Sequence, residues 1–246
     1  MSQHHQCNTY TEALDQIHLQ SLEYYQEVVD QQGGWENYKV TPEQARYYIN
    51  KKKHTYHIWM GEMKNVHLGE SVVKDLRDFI KYLDHEEVRL LWDEELVKSQ
   101  TIHETIAKNC KESCKHDDLK VFYREFSSGS KAISNREFVV SRNIYQDPKL
   151  ENVMWLCTHT PMDFPDYEHK NAPKNSSCVR GKVMLTSWRF EKLPSTIEGK
   201  SCFNISIMTH SEPGGWVTAS LFNNSAGDRP AATVSRLVKY LQTTKQ

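Results

Sequence analysis

The chain has 246 residues, 31 Lys and Arg against 32 Asp and Glu, a formal net charge of −1 and 38% hydrophobic residues. That length suits one domain with an N-terminal extension, or two small domains. The charge balance speaks against a nucleic-acid backbone as partner, which asks for a clear basic excess. Mean hydropathy is −0.72, and no apolar run approaches the roughly 20 residues that span a bilayer. Met1 to Gln6 lacks the basic-then-apolar pattern of a secretory signal. The six cysteines (Cys7, Cys110, Cys114, Cys157, Cys178 and Cys202) are scattered in a chain long enough to build its own core. They read as reduced thiols in a cytoplasmic protein.

Leu14, Ile17, Leu22, Tyr25, Val28 and Val29 are spaced as one face of an amphipathic helix, which Gly33-Gly34 ends. Residues 1–34 are therefore read as an N-terminal helix packed on a domain covering 35–246. Trp35 to Val40, Tyr47 to Ile49 and Tyr56 to Met60 read as three strands, with Lys51-Lys52-Lys53 at a solvated hairpin tip. Ser71 is placed to cap a helix through Val73, Leu76, Phe79, Ile80 and Leu83, and a short helix follows from Glu86 to Asp93. Six more strands are expected: Val97 to Ile106, Leu119 to Phe126, Glu137 to Ile144, Val153 to Thr158, Lys182 to Phe190 and Cys202 to Thr209. Residues 161–178 are rich in Pro, Asn and Lys and read as an exposed connection. Cys110, Cys114 and His116 lack a fourth ligand at zinc spacing and read as a polar loop.

After Pro213-Gly214-Gly215 the chain takes helical spacing from Trp216 almost to its end, with a stripe at Val234, Leu237, Val238 and Leu241. Pro230 should kink or divide that helix near Ala226. Consecutive strands with mostly short connections imply an antiparallel sheet and an α+β class. A curved sheet that hands over to a terminal helix can hold that helix across its own concave face, which makes a container.

Four stretches carry a resemblance. They are Val88-Arg89-Leu90-Leu91-Trp92-Asp93, Ser134-Asn135-Arg136-Glu137-Phe138-Val139-Val140-Ser141-Arg142, Cys178-Val179-Arg180-Gly181 and Pro213-Gly214-Gly215-Trp216. In order and spacing, from about Trp35 onward, the chain resembles the START family of lipid-binding domains. The likeness is nearest to single-domain members such as the phosphatidylcholine carrier. The resemblance implies a helix-grip fold: a curved antiparallel sheet of about nine strands around a long C-terminal helix, enclosing a hydrophobic tunnel for one lipid. It implies a non-enzymatic carrier without cofactors that moves a single lipid between membranes. Membrane contact would be transient, through the loop 127–135 with Lys131 and Ile133, and through the C-terminal helix. The protein is expected to be a monomer.

Arg89 and Asp93 stand four apart on one helix and can form an ion pair. The family match makes Arg89 the phosphate or hydroxyl contact and Asp93 its orienting partner. Phe138, Val140 and Arg142 share one strand face by period two. Arg142 stays protonated and, if buried, must find a carboxylate or an anionic ligand; the family layout offers Asp93 and Glu125. The positions matching the aromatic choline cage read Arg124, Phe138 and Met184, and Arg124 would repel a choline cation. A slip of one residue would instead turn Tyr123 or Glu125 inward. A pocket with Arg89, Arg124 and Arg142 set against Asp93 would favour an anionic phospholipid over phosphatidylcholine. Thr186, Trp188, Ile205 and Ile207 on strands, with Leu221, Val234 and Leu237 on the closing helix, supply the apolar walls.

Two other function classes compete with the carrier. A helix-grip hydrolase or cyclase would need an acid–base pair or nucleophile in the tunnel. His103 and Glu104 point to opposite faces of a strand, His57 and Glu62 stand at no productive offset, and no triad or metal spacing stands out. A lipid or sterol sensor with little transfer activity shares every feature of a carrier.

Overall fold

The computed structural model describes residues 3–104, 119–129, 131–160, 173, 175–225 and 227–244. The elements run α1 (Gln3–Val29), β1 (Trp35–Val40), β2 (Arg46–Asn50), β3 (Ile58–Gly69), a 3-10 turn (Leu76–Asp78), α2 (Phe79–Asp84) and α3 (Glu86–Arg89). Next come β4 (Leu96–Glu104), β5 (Lys120–Phe126), β6 (Arg136–Gln146), β7 (Val153–His159), β8 (Val179–Arg180), β9 (Lys182–Leu193) and β10 (Lys200–Glu212). Two helices, α4 (Ala219–Ser225) and α5 (Arg229–Thr243), end the chain.

Among the described residues, nine strands form one sheet in the order β1-β2-β3-β10-β9-β7-β6-β5-β4, all antiparallel. Two-residue β8 adds to β6 in parallel. The sheet is apolar on both faces because period-two alternation here alternates between two coverings rather than between core and water. On β7, Met154 and Leu156 face the interior, whereas Val153, Trp155 and Cys157 face α1. α1 covers that outer face with Ile17, Tyr24 and Val28, and the Arg189 guanidinium lies 4.2 Å from the Tyr25 ring centroid.

α5 crosses the inner face and buries Val234, Leu237, Val238 and Leu241, the stripe that its spacing forecasts. It approaches closely at Gly61 of β3: a Cβ there would lie 2.4 Å from the Ala231 backbone nitrogen. The terminal helix is divided, not merely bent. α4 and α5 are separate, and Pro230 sits in the first turn of α5, where its missing N–H costs no hydrogen bond.

Two local expectations shift. The helix proposed from Ser71 begins later, at the 3-10 turn, because the Asp78 carboxylate accepts from the Lys74 and Asp75 amides at 2.8 Å each and sets the start there. Lys51 and Lys53 do not simply trail in solvent. Lys51 pairs with Glu36 at 3.0 Å, and Lys53 pairs with Glu27 of α1 at 2.6 Å. The Cys110, Cys114 and His116 loop and residues 161–172 of the polar connection lie outside the described residues, as do the side chains of His103 and Glu104.

Candidate functional site

The interior between sheet and α5 has two unlike parts. The part beneath α2 and the second half of α5 is filled. Phe79 stacks on Phe190 at 4.3 Å and meets Phe203 edge-on at 5.1 Å; Trp188 stacks on Phe190 at 5.8 Å; Trp92 closes on Trp188 edge-on at 6.5 Å. Val234, Leu237, Ile205 and Ile207 join this cluster. The part beneath α4 and the start of α5 is hollow. A cavity of about 350 Å³ opens there, bounded by β3, β9, β10, the loop after β5 and the two C-terminal helices. That volume falls at the low end of ligand pockets, which run from about 300 to about 1,000 Å³.

The expected site residues divide between these parts. Phe138, Thr186, Ile207 and Leu221 line the cavity. Val140, Ile205 and Val234 face inward but are buried in packing away from it. Met184 does not line it. Between Ser211 and His210 of β10 the register with β9 jumps from Val183 to Leu185, so Met184 is the extra residue of a β-bulge and Val183 takes the wall position. Strict alternation cannot foresee an inserted residue.

The three expected arginines gather instead under α2. The Arg89 Nε and Nη2 donate to Asp93 Oδ2 at 3.2 and 3.1 Å, and its Nη1 donates to the Leu83 carbonyl at 3.2 Å. Arg124 donates from Nη2 to the same carbonyl at 3.3 Å, and its guanidinium lies 4.4 Å from the Phe122 ring centroid. Leu83 stands in the last turn of α2, where carbonyls lack helical partners and attract cations. Arg142 forms its ion pair with Asp84, not with Asp93 or Glu125. The reason is parity on β5. Arg124 pairs across from Phe138 with Phe122 and Phe126 on the inner face, which turns Tyr123 and Glu125 outward. There the Tyr123 hydroxyl lies 2.6 Å from both Glu125 Oε1 and Glu137 Oε2, and Arg180 Nε donates to Glu137 Oε1 at 3.0 Å.

Arg89, Arg124 and Arg142 thus meet two carboxylates, Asp84 and Asp93, leaving one positive charge in excess. Arg124 carries that excess. Burial, reinforced by the neighbouring Arg89 charge and opposed by Asp93, pushes its pKa well below the ordinary arginine value. None of Arg89, Asp93, Arg124 and Arg142 lines the cavity.

The cavity has its own polar residues, which the motif reading passed over. Arg136 and Arg229 line it, with His57 and several hydroxyls, among them Ser127, Ser128, Thr209 and Ser211; Trp59, Phe126 and Phe222 add aromatic wall. Arg136 is 8% exposed, and its Nε has no partner; Nη1 donates to the Ser134 carbonyl. Burial and the charge of Arg229 lower its pKa, with Cys178 opposing. His57 also has its pKa lowered, by burial and then by Lys51, with Glu36 opposing. The signal for Arg136 was present: it precedes Phe138 by two on the same strand face. Two glycines shape the rim. A Cβ at Gly227 would come 2.7 Å from the Trp59 ring, and one at Gly181 would come 2.5 Å from Phe138.

A sheet wrapped round a divided terminal helix, with a hollow beneath the division, defines a lipid-binding helix-grip domain. The START domain model matches residues 20–246, and the chain belongs to the START family, known for lipid binding and transfer. Human StAR-related lipid transfer protein 5 superposes with a TM-score of 0.71 at 16% identity, covering 95% of this chain and 97% of that one. Human STARD10 gives 0.64 at 14% identity, covering 90% of this chain and 78% of that one. The human StarD13 (DLC2) lipid transfer and protein localization domain gives 0.62 at 20% identity, covering 92% and 97%. At these identities the likeness speaks for the fold alone. No curated protein matches the sequence.

Proposed function

We propose that this protein holds one lipid in the cavity and transfers it between membranes without altering it, and that it prefers an anionic phospholipid to phosphatidylcholine. The observation that carries the preference is the charge of the wall. The cavity lining is mostly apolar, and its two fully charged members are Arg136 and Arg229, with no carboxylate among the described residues lining it. Trp59, Phe126 and Phe138 would offer faces to a quaternary ammonium, but two guanidinium groups on the same walls repel it.

The rim suits transient contact with a bilayer. Trp216 is 65% exposed beside the cavity wall residues Pro213 and Val217, and Leu221 is exposed on α4. Trp is favoured where an apolar surface meets water. Ile133 and Lys131 stand in the facing loop, Ile133 on the cavity wall and Lys131 exposed. Among the described residues no helix is long and apolar enough to cross a membrane, so contact of this kind would be peripheral.

Native mass spectrometry of the purified protein, followed by transfer of labelled phosphatidate, phosphatidylserine, phosphatidylinositol and phosphatidylcholine between vesicles, tests the reading. One lipid per chain and faster transfer of the anionic species are expected. A protein that carries no lipid, or that favours phosphatidylcholine, overturns it.

A further inference from the structure

The arginines expected to receive a head group are already engaged. Arg89 is used by Asp93 and the Leu83 carbonyl, and Arg142 by Asp84. Aromatic packing, not open space, surrounds them. Open space and under-used cations coincide at the other end. Arg136 has its Nε without a partner although it is more than nine-tenths buried, and it lines the cavity. Arg229 enters the same wall from the first turn of α5, with 39% of its side chain exposed. Its carboxylate partner Glu95 is 3.7 Å away and is held more closely by Arg236, at 3.2 Å. Arg229 and Arg236 therefore share one carboxylate, Glu95, and Arg136 makes no ion pair among the described residues. A buried cation without a counter-charge is costly, and an anion bound between Arg136 and Arg229 lowers that cost. The hydroxyls of Ser127 and Ser211 are on the same walls and can donate to further oxygens.

We propose that Arg136 and Arg229 grip the phosphate oxygens of the carried amphiphile at the mouth of the cavity, so that it rides with its head at the rim and its tail against Trp59, Phe138 and Ile207. This rests on the carrier reading and adds to it the place and orientation of the head group. The buried Arg89, Arg124 and Arg142 group is structural in this arrangement. Exchange is then simple. The head group never crosses the aromatic packing, and the tail leaves through the gap that α4 covers.

The test uses the whole chain and vesicles of phosphatidylcholine containing phosphatidate, with Arg136→Gln, Arg229→Gln and Arg124→Met compared for phosphatidate uptake. Arg229 is partly exposed, so its variant keeps the test valid if Arg136→Gln folds poorly. Loss of one charge-assisted contact should lower phosphatidate uptake about tenfold in each of the first two variants. Uptake of uncharged diacylglycerol should be unchanged, and Arg124→Met should take up phosphatidate normally. Normal phosphatidate uptake by Arg229→Gln, with loss in Arg124→Met, would place the head group in the interior and overturn the proposal while the carrier reading stands. A wild-type protein that takes up no lipid overturns both. Inorganic phosphate serves as the remaining arm. If it competes at millimolar concentration as well as phosphatidate does, the site is one for the free anion and the head-out lipid is wrong.

Discussion

The two ends of the interior share strands β3, β9 and β10 and helix α5, yet one is solid and the other hollow. Under α2 the residues that point inward are large and interlock: Phe79, Trp92, Trp188, Phe190 and Phe203. Under α4, strands β9 and β10 present Val183, Thr186, Ile207, Thr209 and Ser211, and the helix is broken between α4 and α5. Small and hydroxylated residues opposite a divided helix leave room, whereas aromatic residues opposite a continuous helix do not. The charges follow the same division. In the solid end, arginines are matched to carboxylates and a helix end. At the hollow end, Arg136 is left with one backbone carbonyl. The contrast separates a stability device from a binding device within one layer.

The largest effect that would break this contrast is expected at Asp84. Asp84→Asn leaves Arg142 buried, 1% exposed, without its carboxylate. Unfolding in urea should show a loss of about 3–5 kcal/mol; a loss below about 1 kcal/mol would mean that the pair does not hold the solid end.

A pair of truncations then compares the ends directly. Phe190→Ala removes a fully buried ring and should cost about 3–5 kcal/mol, while Phe138→Ala, whose ring already borders empty space, should cost less than half of that. Equal costs by denaturant titration would show that the hollow end is packed as tightly as the other.

A second pair sharpens the role of the bulge. Val183→Trp should fill the cavity and abolish lipid stoichiometry in native mass spectrometry, whereas Met184→Trp should leave it intact. The reverse result would place the bulge elsewhere.

The smallest effect is expected on the outer face, which should respond to acid independently of both ends. The His210 and His54 ring centroids lie 4.5 Å apart, and the Tyr24 hydroxyl of α1 lies 3.3 Å from His54 Nε2. Burial, and then His54, push the His210 pKa down to about 4, below the value of about 6.5 expected when unfolded. The stability that comes from keeping it neutral is therefore complete above about pH 6.5 and is lost as pH falls towards 4. His210→Gln should flatten that stretch of the stability curve with little change at pH 8. An unchanged acid limb would show that other groups set it.

Much of this architecture is legible in the residues alone. The alternation in Cys202 to Thr209 announces β10, the stripe at Val234, Leu237, Val238 and Leu241 announces α5, and Pro230 announces the division before it. Local spacing expresses these because each element must turn one set of side chains from water whatever its neighbours are. The site is less legible. Phe138, Thr186 and Ile207 follow from strand parity and Leu221 from helical spacing, but Val183 replaces Met184 through a bulge and Arg142 finds Asp84 across an interval of 58 residues that no local pattern encodes. Arg229 joins Arg136 only because α5 folds back over the sheet.

By itself, then, the amino-acid order determined the class of elements, their sequence, the divided helix and the inward face of each regular strand, since these depend on backbone periodicity and on the chemistry of single residues. The tertiary structure decided which part of the interior stays open, which arginines are neutralised and which are left facing the hollow. Those outcomes depend on distances between elements remote in the chain, where side-chain volume and the supply of counter-charges are settled together.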